Sequence, residues 1–198
     1  MTDAIAFNDL IDSLNQAPVG SAVEMQIPGV TVLAIEGAGS PGSPAFRQGV
    51  RDLWRVAYGV QQLPKTEWIP EGFVAFEMPP TEVLFESAAR DCPWRIFFPQ
   101  PGFVTQDVLD HVFAELLAKD KGLEGAVFLA EHAPEYVVQS MHIGHPSGQP
   151  ETIAIIQAYA ADHGLQISPT HHEILIDDPV RIGFDIACNL LRYRVTGI

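Results

Sequence analysis

The apolar and polar positions of this chain fall into short runs whose period switches between two and 3.6. "VTVLAIEG" (Val30 to Gly37) is almost wholly apolar and reads as a strand, and "AGSPGS" after it is loop chemistry. Ser43 then Pro44 form a helix-start signal, with serine as N-cap and proline in the first turn. Phe46, Val50, Leu53, Trp54, Ala57 and Val60 follow at helical spacing and predict one buried stripe up to about Gln62. Strands are expected at Phe73 to Met78, Glu82 to Glu86 and Trp94 to Phe98, with Pro79-Pro80 as a turn or bulge. Thr105 is placed to cap a second helix carrying Val108, Leu109, Val112, Leu116 and Leu117, ended by Lys119-Asp120-Lys121-Gly122.

The second half repeats this grammar. A strand "AVFLAE", a turn at Ala133-Pro134 and a strand "YVVQSMHI" lead into the loop "GHPSGQP". A helix carrying Ile153, Ile156, Tyr159 and Ala160 stops at His163-Gly164. A short helix is expected around Phe184 to Leu190, then a final strand "RYRV". Strand, Gly/Pro loop, helix, extended segments thus occur twice. The predicted fold class is α+β: two pseudo-symmetric βαββ units, about 22–100 and 125–198, in a single domain over 1–198 with a central ligand cleft.

Between that helix and the end lies "THHEILIDDP" (Thr170 to Pro179). Its alternation puts His172, Ile174 and Ile176 on one face of a strand and His171, Glu173 and Leu175 on the other. Glu173 has two readings. It is an edge carboxylate paired with Arg192 or Arg194, or it is the polar group of an apolar pocket. In a pocket, burial would raise its pKa, an incoming cation would offset the cost of its charge, and it would serve as a general acid or base.

Composition narrows the function classes. Of 198 residues, 11 are Lys or Arg and 25 Asp or Glu, for a net charge of −14. No basic cluster is available to displace counterions from nucleic acid, so no direct nucleic-acid binding is expected, and cationic ligands are favoured over anionic ones. There is no run of about 18 apolar residues to span a membrane. The start "MTDAIAFNDL" lacks a basic n-region, so no secretory signal is read and a cytoplasmic location is expected. Cys92 and Cys188 form no CxxC and are expected to be reduced and buried. His142, His145, His163, His171 and His172 crowd the second half. Adjacent strand residues point to opposite faces, so His171 and His172 do not share an ion, and no metal or other cofactor is expected. "GAGSPG" lacks the phosphate-cradle ending and is turn chemistry. Trp54 and Tyr58 share a helix face, and the tyrosine hydroxyl makes Tyr58 the better cleft candidate.

Several stretches together resemble the GyrI-like small-molecule-binding family, whose fold also forms effector domains of multidrug-sensing transcription regulators. They are "IEGAGSPGSPAF", "LWRVAYGVQ", "FFPQPGFVT", "MHIGHPSGQPETI", "HHEILIDDPVR" and "LLRYRV", in this order and spacing. The resemblance, to the stand-alone bacterial subgroup, runs from about Ala22 to the end. It implies a cleft that binds bulky cationic, electrophilic or aromatic compounds, with Glu173 as its acid. A subset of its stand-alone members resembles hydrolases of cyclopropane-bearing DNA-alkylating compounds, which makes Glu173 the catalytic candidate of an alternative xenobiotic-hydrolase reading. Some relatives act on DNA gyrase, so an acidic protein-interaction partner is a third reading. The family's usual aromatics are absent at Pro146, at Leu175 and at Leu84, while Phe85 keeps one. The expected ligand-binding set is Glu173, Tyr58, Trp54, Phe85, Phe97, His142, His145 and Leu175. No helix-turn-helix is present, so a one-chain transcription regulator is not expected.

Overall fold

Helix α2 (Pro44–Gln61) begins as its sequence predicts, with the Phe46 amide donating to the Ser43 hydroxyl at 3.2 Å and Pro44 in the first turn. Helix α3 (Gln106–Ala118) is likewise capped by Thr105, and α4 (Gln149–Asp162) runs to Gly164, whose φ of 66° suits the left-handed turn. This computed structural model describes residues 2–119, 122–177 and 186–197, with side chains from Ala6 onward.

The strands are β1 (Val23–Ile27), β2 (Val30–Gly39), β3 (Thr81–Phe85), β4 (Cys92–Pro99), β5 (Phe128–His132), β6 (Glu135–Ile143), β7 (Leu165–Ile167), β8 (His171–Leu175) and β9 (Cys188–Gly197). They pair antiparallel in the order β1-β6-β9-β8-β3-β4-β2-β5, with β7 against β9. The order strand, helix, strand, strand occurs as β2-α2-β3-β4 and again as β6-α4-β8-β9, with the short β7 inserted between α4 and β8. The two triplets, β2-β4-β3 and β6-β9-β8, run as mirror images outward from the β3–β8 pair. The fold is α+β in one domain.

The outer strands are exchanged between the halves. β1 leads into β2 but pairs with β6, and β5 leads into β6 but pairs with β2. Both ends of the sheet therefore meet at the two turns: a Cβ on Gly29 would lie 3.2 Å from Pro134 Cδ. A sheet whose ends meet is curled and has two unlike faces.

One face carries α2 and α4. Its core holds Leu33, Ile35, Leu53, Val56, Val83, Phe85, Trp94, Ile96 and Phe98, with Val138, Ile156 and Leu191 under α4. The Trp94 indole fills the gap between β2 and α2, where Gly37 and Gly49 leave room for it. The fully buried Asp52 joins α2 to the strand-β5 approach, accepting from the Glu124 and Gly125 amides at 3.1 and 2.9 Å.

The other face is covered by helix α1 (Thr2–Leu14), through Phe7, Ile11 and the carbonyl of Leu14. Neither α1 nor β1 and β7 follows from the sequence reading above. Phe73 to Met78 forms no regular element rather than a strand, and its Phe76 meets Phe7 edge-on at 5.9 Å. The helix expected around Phe184 to Leu190 is β9 from Cys188 onward, and its start lies outside the described residues. Leu117, placed on the buried face of α3, is 75% exposed. Trp54 falls at the margin of the α2 stripe, 40% exposed, with its ring edge-on to Phe98 at 5.1 Å. Both cysteines are free thiols and half-buried rather than buried.

Candidate functional site

β8 lies in mid-sheet between β3 and β9. Its alternation sends His171, Glu173 and Leu175 toward the helices and His172 and Ile174 toward α1. Register confirms the sorting. Glu173 is opposite Val83 and Leu191, both in the helix-side core. His172 is opposite Leu84 and Arg192 on the other face.

On the helix side Glu173 is buried, yet four polar residues converge near it. His171 Nε2 lies 2.7 Å from Glu173 Oε1, and the Tyr193 hydroxyl bonds to His171 Nδ1. Arg90, from the β3–β4 loop, donates to Glu173 Oε1 at 2.7 Å and to Gln149 Oε1 at 3.1 Å. Gln149 opens α4 and its Nε2 is buried with no hydrogen-bond partner. Phe85 forms an apolar wall, stacked on Phe46 at 6.1 Å and 6.2 Å from the His171 ring.

This arrangement reverses one expectation. Burial pushes the Glu173 pKa up, but the His171 hydrogen bond and the charges of His171 and Arg90 outweigh it, so the carboxyl sits below its ordinary 4.5. Glu173 is therefore ionised at neutral pH. Tyr193 moves the other way, pushed up to about 12 by burial and by the Glu173 charge. Tyr193, His171 and Glu173 thus form one hydrogen-bonded chain through both ring nitrogens of the imidazole.

The opposite face carries a second set of the same residue types. His172 Nε2 lies 2.9 Å from Glu82 Oε2, with Arg192 Nη1 at 3.8 Å from the same oxygen. Arg192 is fixed on all sides, donating to Gln139 Oε1 at 2.8 Å and to the Leu14 carbonyl at 2.7 Å. A cation on the last carbonyls of α1 suits the helix dipole. Burial raises the Glu82 pKa, but the close His172 imidazole and Arg192 bring it below 4.5. A cavity of about 20 Å³, bordered by Glu82, Phe97, His132 and Arg192, remains under α1. That is room for one water.

The structure divides the sequence-predicted residues. Glu173, Phe85 and Leu175 share the helix-side face, Leu175 half-buried. Phe97 lies on the α1 side against His132 and His172. Trp54 and Tyr58 are exposed on α2, Tyr58 by 55%. His142 bonds Thr152 of α4 at 2.9 Å and the His145 carbonyl at 3.1 Å, holding the helix start. The His145 side chain accepts from the Ser147 amide in the turn that precedes α4. Arg192, a proposed salt-bridge partner of Glu173, is on the other face, and the partner is Arg90. His171 was legible as a neighbour of Glu173, since positions two apart share a strand face. Arg90 lies in a loop without periodicity and Gln149 in a Gly/Pro stretch, so no pattern marks them. Among the described residues no group of three or more His, Cys, Asp or Glu is placed to hold a metal ion, and no helix is long and apolar enough to cross a membrane.

No protein-family model and no curated protein sequence matches the chain. Among solved structures it is similar to a hydrolase from Listeria innocua, with 25% identity over 96% of this chain and 98% of that chain and a TM-score of 0.88. A further hydrolase structure from Listeria innocua matches over the same shares at 24% identity and a TM-score of 0.87. The C-terminal domain of EcmrR shares the fold at 10% identity, over 90% of this chain and 98% of that chain, with a TM-score of 0.55.

Proposed function

We propose that the chain is a GyrI-like binding protein whose helix-side cleft takes a small, apolar-bodied cationic or electrophilic molecule at Glu173. One observation carries this reading: a buried, ionised carboxylate whose partner cation, Arg90, comes from a loop rather than from the core. Such a carboxylate is stabilised only while a positive charge stands beside it. Half-buried Leu175 is the apolar neighbour a ligand body meets on this face, backed by the buried rings of Phe85 and Phe46. The test is a thermal-shift titration with a panel of aromatic cations and their neutral isosteres, on wild type and Glu173→Gln together. A ligand at about 100 times its Kd stabilises by about 2.7 kcal/mol. Cations that stabilise wild type and lose their effect in Glu173→Gln support the reading. A panel that shifts neither protein sinks it.

A hydrolase reading is favoured by the Tyr193–His171–Glu173 chain and by the similarity to the Listeria innocua hydrolases. In it an ionised Glu173 serves as base or stabilises positive charge developing on an electrophilic xenobiotic. Its pKa direction makes it unsuited to act as an acid at neutral pH. Product formation that vanishes in Glu173→Gln distinguishes turnover from binding alone.

A further inference from the structure

We propose that Arg90 is a displaceable resident of the site: its guanidinium stands where a ligand's cationic group docks, and the ligand class is an aromatic amidinium or guanidinium that replaces it. The inference rests on the reading of Glu173 as the ligand's acid.

Three observations converge. First, Arg90 Nη1 alone satisfies two acceptors on different elements, Glu173 Oε1 on β8 and Gln149 Oε1 on α4. A group replacing it must bring N–H donors to both, which a protonated amidine does and a quaternary ammonium does not. Gln149 is 2% exposed and its Nε2, a donor, has no partner, so the ligand that replaces Arg90 is completed by an acceptor beside its donor-only cation.

Second, Arg90 is held from outside. It lies in the loop between β3 and β4, and it is the only non-glycine with positive φ among the described residues, at 58°. Its side chain is 27% exposed against 8% for Glu173, so the pair is reached by solvent from the arginine side.

Third, the opposite face shows what a permanent arginine looks like. Arg192 is on a central strand, 3% exposed, and bonded to Gln139 and to the end of α1. Arg90 has neither the strand nor the helix cap. An internal group that must leave before the ligand enters lowers apparent affinity by the fraction of open protein.

Benzamidine is the probe. Calorimetric titration of Arg90→Ala is expected to give about tenfold tighter binding than wild type, the gain from removing a competitor that closes the site roughly nine-tenths of the time. Binding is expected to vanish when Glu173→Gln is added. Phenyltrimethylammonium, which lacks N–H donors, is expected to bind Arg90→Ala at least about tenfold more weakly than benzamidine. Arg90→Gly suits the positive φ, and Arg90→Lys keeps a charge that reaches fewer acceptors. Either takes the place of Arg90→Ala if that variant does not fold, with the same direction expected. Benzamidine binding no tighter in these variants than in wild type overturns the proposal. If aromatic cations still bind through Glu173 in that case, only the role of Arg90 falls. If no aromatic cation binds wild type or any Arg90 variant, the proposed function falls with it.

Discussion

His171 and His172 are neighbours in the chain and serve opposite faces of one sheet: His171 Nε2 is 2.7 Å from Glu173, and His172 Nε2 is 2.9 Å from Glu82. Each pair has its own arginine and glutamine, Arg90 with Gln149 and Arg192 with Gln139. The residue types match, but the anchoring does not. The Glu82 set is sealed beneath α1, whereas the Glu173 set is closed by a loop.

Both pairs make stability depend on acid. Glu82 and Glu173 sit below 4.5 when folded, so the unfolded chain takes up protons first as pH falls. Their contribution is present above 4.5 and is lost as pH drops through the folded values. His172 adds an earlier step. Burial, more than the opposing Glu82, holds it neutral below its ordinary 6.5, so the unfolded chain alone binds that proton from 6.5 downward. Urea unfolding from about pH 8 to about pH 3 is expected to show stability declining in two stages. His172→Gln should remove the upper stage and Glu173→Gln should reduce the lower one. A stability flat across this range contradicts the assignment.

Trp94 gives a packing prediction. A Cβ on Gly37 would lie 2.4 Å from the indole and one on Gly49 would lie 2.9 Å from it. The indole is 4% exposed and boxed in by Phe46. Gly37→Ala and Gly49→Ala are each expected to cost about 1–3 kcal/mol, the usual range for overpacking, with Gly37→Ala the larger. Chemical denaturation followed by tryptophan emission measures both.

The repeated βαββ grammar and the caps of α2 and α3 were legible because Ser43-Pro44, Thr105 and the helical stripes act locally. The strand carrying Glu173 was legible for the same reason. What depended on long-range pairing was not. α1 has an apolar face, yet nothing in "AFNDLIDSL" says that a curled sheet waits for it. The run Phe73 to Met78 has strand composition and forms no regular element. The direction of the Glu173 pKa turned on the contact with His171 and on Arg90, which is 83 residues away in sequence. Burial of an acid predicts a raised pKa only until its partners are known.

Asp52 carries a third prediction. Its carboxylate is wholly buried and accepts two backbone amides from the segment before β5. Asp52→Ala leaves both donors without that partner, at an expected cost of about 2–4 kcal/mol. Hydrogen exchange at the Glu124 and Gly125 amides should accelerate far more than exchange in β8. Uniform acceleration would mean that Asp52 acts on the whole fold rather than on this junction.

The last prediction separates a working chain from a merely buried one. The Tyr193 hydroxyl bonds to His171 Nδ1, and His171 Nε2 faces Glu173 Oε1 at 2.7 Å. Tyr193→Phe keeps the ring and removes the hydroxyl, so Nδ1 loses its buried partner. The stability cost is expected to be about 1–3 kcal/mol. The tyrosine titrating near 12 should also disappear from the ultraviolet pH titration. If His171 serves only to pack the core, binding of aromatic cations will be unchanged in the folded variant. If it orients and holds the charge of Glu173, their affinity falls severalfold, by about one-half to one power of ten for one lost orienting hydrogen bond.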